Sequence, residues 1–371
     1  MQRKRILLLI PHLGGGGAEH VMALLARGLS QAKYEVHLGL VQQAKAAGGV
    51  LPPWVKLHAL GAGRARAGAF PLLRLVWRLR PKVVLTGGVE ISLLVLLLRP
   101  LFPPTCVLVR QNGTVSSTLA SADAPRYARL LYRLFYRWSD RVICQSRAMA
   151  RDLVQAAGIG EERIAVLPNP VDLEGIRAAW AAPLRRSGAG PHLLAVGRLS
   201  WEKGFDLLLE ALAVVREHHP DADLILAGAG REKAALMSLC RSLGLETAVC
   251  FAGHVDRPYA LLPGATLFVL SSRYEGMPNA LLEAVAAGLP LVATPASGGV
   301  VDLLRGRHGA WLAPEISAEA LAATILAALD AIRLGERFCQ PFSPSSLQMA
   351  RSGAGDCTRE VPERRVPAST Q

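Results

Sequence analysis

The sequence lacks the features of a disulfide-rich or metal-scaffolded protein and of a secreted one. Its six cysteines are scattered through 371 residues without any Cys-x-x-Cys spacing, which argues against disulfides or a zinc site and favours thiols in a reducing compartment. The first apolar run, Ile6 to Ile10, is too short for the core of a signal peptide, and no small-residue cleavage site follows it. We therefore expect a cytoplasmic protein that begins with a β-strand.

The chain also lacks an uninterrupted apolar segment of membrane-spanning length. Residues 91–109 come nearest, but Arg99 and the prolines at 100, 103 and 104 interrupt them, so a buried helix followed by a loop and a strand is the better prediction. With 51% hydrophobic and 19% charged residues, the composition is globular, and the length suffices for two domains.

A run of four glycines, Gly14 to Gly17, follows the first predicted strand and precedes a helical pattern. Without β-carbons, this loop lets a ligand approach the start of the helix. Its spacing is not Gly-x-Gly-x-x-Gly, and the acidic residue expected after the next strand of a dinucleotide-binding fold is missing. The sequence therefore disfavours a dehydrogenase.

Residues 265–295 predict a strand, a turn, a helix and a second strand. ATLFVLSS and LPLVAT are apolar β-rich runs, RYEGMP contains a glycine and a proline, and NALLEAVAA ends at Gly288. In a parallel sheet such a turn lies at the carboxyl edge, where helix N–H groups attract phosphate. Glu275 and Glu283 bracket the turn, and carboxylates accept hydrogen bonds from sugar hydroxyls. This pattern indicates a ligand that carries sugar groups at both ends of a phosphate.

A second unit, VGRLSWEKGFDLLLEAL, places two cations where another strand ends. Arg198 follows the strand LLAVG, and Lys203 comes five residues later, beside Gly204 at the start of a helix. Two cations at a sheet edge suit a diphosphate leaving group, because its negative charge grows in the transition state.

Together these segments resemble the retaining nucleotide-sugar glycosyltransferases of the GT-B fold, family four. The resemblance covers about residues 1–333 and rests on the Glu-x7-Glu spacing, on VGRLSWEKG and on VCFAGHVD. It implies an α/β protein with two Rossmann-like domains facing across a cleft. Strand and helix runs alternate in both halves, which supports parallel sheets independently of any family.

The resemblance also implies a division of the chain. Residues 1–172 would form an N-terminal acceptor-binding domain and residues 173–333 a C-terminal nucleotide-sugar-binding domain, with IAVLPNPVD marking the passage between them. Residues 334–371 are rich in Ser, Pro and Arg without an apolar period, so we expect a disordered or atypical tail.

The implied reaction moves a hexose from a UDP- or GDP-linked sugar to a hydroxyl of a glycan or lipid-linked acceptor of the cell envelope, with retention of configuration. No metal or other cofactor is implied, because Arg198 and Lys203 with helix N–H groups would take the role of a cation. The implied catalytic residues are Arg198, Lys203 and Glu275. The implied donor-binding residues are Gly15, Gly16, Gly17, Gly197, Arg198, Lys203, His254, Val255, Glu275, Gly276, Met277, Pro278, Asn279, Ala280, Leu281 and Glu283.

Three polar residues have open roles. Glu19 either faces the donor phosphate or acceptor, or only interacts with the dipole of its helix. Asn112 lies near the place where many members of the family have a histidine that contacts the transferred sugar, and it either takes such a role or only makes an Asn-Gly turn. His254 is interpreted as a base-contacting or capping residue and not as a catalytic one.

Positive charge is concentrated in the first half of the chain. Residues 1–170 carry 23 Lys and Arg against 8 Asp and Glu, a net charge of +15, whereas the remainder carries −2. Within residues 126–141 arginines recur at three- and four-residue steps among Leu, Phe, Tyr and Trp, which is typical of a basic amphipathic helix. These arginines are Arg126, Arg129, Arg133 and Arg137.

Such a basic surface suits anionic lipid or nucleic acid, and an ordinary solvated helix is the third interpretation. The chain has no helix-turn-helix, zinc-finger or RNA-platform signature, so we expect lipid headgroups rather than nucleic acid, with the protein peripheral on the inner face of the membrane. The fold leaves two other functions open, because GT-B scaffolds serve several chemistries. These are a sugar-nucleotide epimerase and a catalytically silent, membrane-associated binding subunit.

Overall fold

The computed structural model describes residues 3–13, 16–42, 51–62, 65–120, 128–181 and 190–335. Within these ranges the chain forms two parallel β-sheets, each with helices on both faces. Gly15, Arg126 and nearly all of the predicted tail, from residue 336 onward, lie outside the described residues.

The first sheet is built by residues up to 166. Its strands are β1 (Lys4–Ile10), β2 (Tyr34–Leu40), β3 (Lys56–Ala59), β4 (Val83–Gly87), β5 (Cys106–Arg110), β6 (Arg141–Cys144) and β7 (Ile164–Val166). The helices as far as residue 181 are α1 (Gly17–Gly28), α2 (Ala69–Leu79), α3 (Val89–Leu98), α4 (Val115–Ala120), α5 (Ala128–Phe135), α6 (Arg147–Ala157) and α7 (Leu173–Ala181). All strand pairs are parallel, in the order β3-β2-β1-β4-β5-β6-β7.

The second sheet repeats this plan with one strand fewer. Its strands are β8 (His192–Val196), β9 (Asp223–Ala227), β10 (Val249–Gly253), β11 (Leu267–Leu270), β12 (Leu291–Ala293) and β13 (Ala310–Leu312). Its helices are α8 (Phe205–His218), α9 (Lys233–Ser242), α10 (Asn279–Ala287), α11 (Gly298–Leu304) and α12 (Ala318–Arg333). The order is β10-β9-β8-β11-β12-β13, again all parallel.

The strand order creates a topological switch point in each sheet. The chain winds from β1 toward one edge and from β4 toward the other, and it does the same from β8 and from β11. Loops that leave neighbouring strands at such a point diverge to opposite faces and open a crevice at the carboxyl edge, where ligands of open α/β sheets bind. The loops after β8 and β11 carry both predicted motifs.

Burial on both faces explains the apolar strands. The last five residues of β1 and all four of β11 are buried, as expected for parallel strands covered by helices on each side. Apolar clusters fill both faces of each sheet. The predicted change of domain between residues 172 and 173 stays a prediction, and Ile176 of α7 packs in the core of the second sheet.

The fold class predicted from the sequence is confirmed, with small differences at element ends. The strand-forming runs at residues 35–41, 82–85, 105–110 and 141–145 form β2, β4, β5 and β6, each within two residues at either end. The edge strand β3 was missed, because it has only four residues and three of them are exposed. Each helix of the described residues is too short or too polar to span a bilayer.

Candidate active site

Two loops at the second switch point bring Lys203 and Glu275 together. Lys203 ends a short 3-10 turn, Trp201–Lys203, in the loop after β8, and Glu275 lies in the loop after β11. Lys203 Nζ donates a hydrogen bond to Glu275 Oε1 over 2.5 Å, and Ser272 Oγ donates to the same oxygen over 2.7 Å. Both charged side chains are largely buried. The predicted phosphate cation and the predicted sugar carboxylate therefore form one ion pair, although 72 residues separate them in sequence.

Glycines allow these loops to approach each other closely. Gly204 has a φ of +59°, and a β-carbon there would lie 2.1 Å from the carbonyl oxygen of Ser271. Gly228, in the loop after β9, has a φ of +152°, and its β-carbon would lie 1.8 Å from the carbonyl oxygen of Gly197. Any other residue at either position would force the β8 loop away from its neighbours.

Arg198 lies in the same loop as Lys203, and its side chain is exposed. Nearby Glu202 is half-buried. Burial raises its pKa, but the hydrogen bond from Ser200 and the positive charges of Arg198 and Lys203 outweigh burial, so the pKa of Glu202 lies below its usual value. The β8 loop thus carries an exposed cation and an ionised carboxylate beside the Lys203–Glu275 pair.

Glu283 is buried one turn into α10, with 5% of its surface exposed. Burial, reinforced by the negative charge of Asp172, raises the pKa of Glu283 to about 8, so the carboxyl group is mostly protonated at neutral pH. His20 of α1 faces it, with Nε2 3.8 Å from Glu283 Oε1. This nitrogen is buried without a hydrogen-bond partner, and burial lowers the pKa of His20. Two neutral polar groups, one from each half of the chain, therefore face each other.

Asp172, in the passage between the two sheets, joins both halves. It accepts hydrogen bonds from Arg27 Nη1 of α1 over 3.0 Å, from the Gly175 N–H over 3.0 Å and from the Tyr259 hydroxyl over 3.3 Å. Burial raises the pKa of Asp172, but the bonds from Gly175 and Arg27 outweigh burial and hold the pKa below its usual value. Asp172 is therefore a buried anion close to the neutral Glu283.

A chain of polar contacts joins the start of α10 to the first half. Asn279 Nδ2 donates to the carbonyl of Gly17 over 2.8 Å, and Asn169 Nδ2 donates to Asn279 Oδ1 over 2.6 Å. Asn169 Oδ1 accepts from Arg110 at the end of β5 over 2.5 Å, and Arg110 also donates to Asn112 Oδ1. The first residues of α1 and α10 consequently meet, so two helix N-termini face the crevice from opposite sides.

The remaining predicted site residues fall into two groups. Gly16 and Gly17 begin α1, and residues 276–281 form the turn and first helical residues before Glu283, so both segments lie in the crevice. A β-carbon on Gly276 would lie 2.9 Å from the carbonyl oxygen of Asn112, which brings Asn112 to the same place. His254 and Val255 follow β10, two strands away from β8. His254 is exposed, and its Nε2 lies 3.3 Å from Asp256 Oδ1.

Glu19 remains close to its own helix start. Its carboxylate folds back over Gly16, where a β-carbon would lie 2.2 Å from Oε2, and Oε1 lies 3.8 Å from His12 Nδ1. An acidic residue in the first turn interacts favourably with the helix dipole. The geometry agrees with the dipole interpretation and leaves the ligand interpretation as a prediction.

The chain contains one Asp-x-Asp triplet, at residues 221–223, so the assumption behind the metal-independent prediction that no such triplet is present is wrong. Asp223 begins β9, and its Oδ2 accepts from His192 Nδ1, at the start of β8, over 2.8 Å. The triplet therefore lies at the amino edge of the second sheet, whereas the residues described above lie at the carboxyl edge. Because the two edges are at opposite ends of the strands, the triplet is not part of the candidate site.

Sequence reasoning missed four residues of the crevice: His20, Arg110, Asn169 and Asp172. The last two stand in LPNPVD, which was interpreted only as the passage between domains. Their residue types could have indicated a role, because a buried polar side chain in an ordered connection needs a hydrogen-bond partner.

Comparison with known proteins assigns the chain to a family. Residues 15–174 match the family model Glycosyltransferase Family 4, and residues 190–331 match the model Glycosyl transferases group 1. The chain belongs to this glycosyltransferase family. The glycogen synthase of Mycobacterium tuberculosis is 35% identical over 224 residues, which cover 60% of this chain and 52% of the relative. The chain thus spans about half the length of the first curated relatives that it matches.

Two further proteins are similar to this chain over most of its length. One is the N-acetylgalactosamine-N,N'-diacetylbacillosaminyl-diphospho-undecaprenol 4-alpha-N-acetylgalactosaminyltransferase of Campylobacter jejuni, 27% identical over 315 residues, which cover 81% of this chain and 83% of that one. The other is the crystal structure of Anabaena HepE in complex with UDP and glucose, with a TM-score of 0.75, 19% identity and coverage of 94% and 95%. The structural likeness establishes the GT-B fold.

Proposed function

We propose that this glycosyltransferase moves a hexose from a nucleoside diphosphate sugar to a hydroxyl acceptor with retention of configuration. The proposal rests on one observation above all, the Lys203–Glu275 ion pair at the second switch point. A diphosphate needs a cation there and the transferred sugar needs a hydrogen-bond acceptor, and one contact supplies both. The solved structure of HepE contains UDP and glucose, which favours a UDP-linked donor over a GDP-linked one.

The proposed division of labour follows the two sheets. Residues 173–333 hold the donor, with Arg198 and Lys203 on the diphosphate, Glu275 on the transferred hexose and Glu283 on the ribose. Residues 1–172 hold the acceptor, with Asn112 and Glu19 on its side of the crevice. In the reaction the bond between the anomeric carbon and the diphosphate breaks, the acceptor oxygen bonds to that carbon, and the hydroxyl proton leaves toward the departing phosphate.

The proposed acceptor is a glycan or a lipid-linked precursor of the cell envelope, presented at an anionic membrane surface. Helix α5 supports this membrane contact. Its buried side carries Tyr132, while Arg129 and Arg133 are exposed beside Leu130 and Leu134, which are 54% and 43% exposed. Exposed leucines between arginines favour a lipid surface, because each cation there contributes about 1 kcal/mol.

A panel of nucleotide sugars tests the proposed reaction. The full chain is incubated separately with UDP-glucose, UDP-galactose, UDP-N-acetylglucosamine and GDP-mannose, and proton NMR follows nucleotide release and the anomeric configuration of the first sugar product. We expect one donor to release its nucleotide, with an α-linked or free α-sugar formed first. Conversion into an epimer without nucleotide release would assign an epimerase instead, and binding without turnover would assign a silent subunit.

A matched pair of lysine variants tests the observation that carries the proposal. Lys203→Ala should lower turnover at saturating donor by about two to three orders of magnitude, the range for removal of a preorganised charge stabiliser. Lys203→Arg should retain more turnover, because the charge remains although its position changes. Lys233→Ala, at an exposed lysine of α9, is the control and should behave as the wild type. Equal turnover of all three would refute the assignment of Lys203.

A further inference from the structure

Two exposed aromatic side chains lie side by side at the carboxyl edge of the second sheet. Trp201 is 56% exposed and Tyr274 is 46% exposed, and their ring centroids are 6.3 Å apart. Trp201 lies two residues before Lys203, and Tyr274 directly precedes Glu275. This pair, called the aromatic shelf below, therefore borders the donor site, and none of the roles assigned above uses it.

Arg273 fixes the position of the aromatic shelf. Its guanidinium carbon lies 4.8 Å from the centroid of the Trp201 ring, and its Nη1 also donates to the Trp201 carbonyl over 2.8 Å. The same guanidinium donates to both oxygens of Asp206 at the start of α8, over 2.8 and 2.6 Å. A bidentate pair of this kind holds a planar side chain in one orientation. The indole is thus supported from below and open to solvent above.

The polar surroundings of the shelf suit a carbohydrate. Glu202, whose backbone carbonyl accepts a hydrogen bond from the Arg273 N–H over 2.8 Å, carries an ionised carboxylate beside the rings. Burial and then the negative charge of Glu202 raise the pKa of the Tyr274 hydroxyl, which places that carboxylate near it. A pyranose presents an apolar C–H face that packs on an aromatic ring and equatorial hydroxyls that donate to carboxylates. Two adjacent exposed aromatic rings with a polar rim are therefore a candidate ligand site.

The position of the shelf indicates whether it would bind a sugar ring of the donor or of the acceptor. Glu283 lies within α10, Glu275 precedes that helix, and Tyr274 leans toward the turn that leads into α8. Tyr274 directly precedes Glu275 and contacts Trp201, so the shelf borders the place proposed for the transferred hexose. We propose that the aromatic shelf is a pyranose-binding subsite that holds a sugar ring of the acceptor glycan beside the transferred hexose, so that the acceptor bound by residues 1–172 also contacts the edge of the second sheet. This inference rests on the proposed glycosyl transfer and adds the kind of acceptor, a glycan that already contains at least one pyranose near its growing end.

Fluorine NMR of the full chain, labelled with 5-fluorotryptophan, tests this directly. The sequence contains six tryptophans, and the Trp201→Phe variant assigns the resonance of Trp201. Trp77 is the matched control, because it is 50% exposed and also lies near an arginine, with the Arg80 guanidinium carbon 5.9 Å from its ring. The probes are the methyl glycosides of glucose, galactose, mannose and N-acetylglucosamine, each titrated with and without UDP.

We expect at least one glycoside to shift the Trp201 resonance and to leave Trp77 unmoved. An offset aromatic contact contributes about 0.5–1.5 kcal/mol, so Tyr274→Ala should weaken this binding about two- to tenfold, and Tyr274→Phe should restore it. UDP affinity should stay unchanged in both variants, because the shelf lies outside the proposed nucleotide contacts. If Tyr274 had a purely structural role, Tyr274→Ala would instead lower the unfolding temperature and the UDP affinity together.

Four outcomes of this experiment show whether the shelf proposal or the proposed donor chemistry is wrong. If UDP binds normally and no glycoside moves Trp201, the shelf is not a sugar site. If uridine alone moves Trp201 as far as UDP does, the shelf is a base platform and the inference is wrong. A Trp201 shift that depends only on protein concentration would identify a contact between copies of the chain and would also overturn it. If glycosides move Trp201 but no nucleotide binds, the shelf stands and the proposed donor chemistry fails.

Discussion

Replacing Glu283 by glutamine should remove a pH-dependent part of the stability of the protein. Glu283 is 5% exposed, and burial together with the charge of Asp172 raises its pKa to about 8. Glutamine has nearly the same shape as the protonated carboxyl group and cannot ionise. The substitution therefore leaves the packing of α10 in place and removes only the titration.

The direction and magnitude of the change in unfolding free energy with pH follow from the pKa values of Glu283 in the folded and unfolded states. The folded state prefers the protonated form, because the pKa of about 8 lies above the usual glutamate value of 4.5. Glu283 thus contributes stability that is fully present below pH 4.5 and is lost as the pH rises toward 8. A shift of one unit corresponds to about 1.4 kcal/mol, so the loss over this window is at most about 5 kcal/mol.

Urea unfolding at pH 5.0, 6.5, 8.0 and 9.0 measures this effect. The groups around Glu283 include His20, Asp172 and Arg27, and their own titrations are shared by both proteins. Only the difference between wild type and Glu283→Gln isolates the carboxyl group. We expect Glu283→Gln to gain stability relative to wild type as the pH rises, while Glu210→Gln, at an exposed glutamate of α8, should follow wild type throughout. A difference that is independent of pH would refute a buried, protonated Glu283.

Three other predictions address different parts of the molecule. Arg198→Ala should lower turnover by about two to three orders of magnitude with a smaller change in donor affinity, because the departing diphosphate gains charge in the transition state; steady-state kinetics at saturating donor decide this. Neutralising Arg129, Arg133 and Arg137 together should weaken co-sedimentation with phosphatidylserine vesicles about a hundredfold, at about 1 kcal/mol each, and an unchanged bound fraction would contradict the membrane proposal. Burial and then His58 lower the pKa of His37 to about 4, so the folded protein should lose up to about 3 kcal/mol as the pH falls from 6.5 to 4, and His37→Gln should reduce that loss in urea titrations.

The fold was predictable because the strands of both sheets are covered on two faces. Such strands appear as short, almost continuous apolar runs, as in β1 and β11, and alternation with helical runs then gives parallel sheets. The edge strand β3 has no such pattern, because three of its four residues are exposed. Its side chains pair with those of β2 through Lys56–Glu35 and His37–His58, contacts between distant residues that a local sequence pattern does not show.

The sequence predicted which segments line the crevice, but not the contacts between them. Sequence spacing predicts Lys203 and Glu275 as separate ligands of phosphate and sugar, and these roles stay a prediction. Their ion pair depends on β8 and β11 lying next to each other, which is a property of the strand order and not of either motif. His20 and Asn169 were missed for the same reason, since each acquires its partner only when the two halves of the chain meet.

The protonation state of Glu283 depends both on the contact between the two halves of the chain and on the proposed binding of the donor. His20 Nε2 and Glu283 Oε1 lie 3.8 Å apart, too far for a hydrogen bond, and Asp172 already holds the nearby negative charge. A second carboxylate there would lack donors, which is why the neutral form is favoured. The two hydroxyls of a bound ribose would supply donors to that carboxyl group, and they would stabilise its ionised form. If Glu283 binds the ribose as proposed, nucleotide binding below pH 8 should release a proton from Glu283.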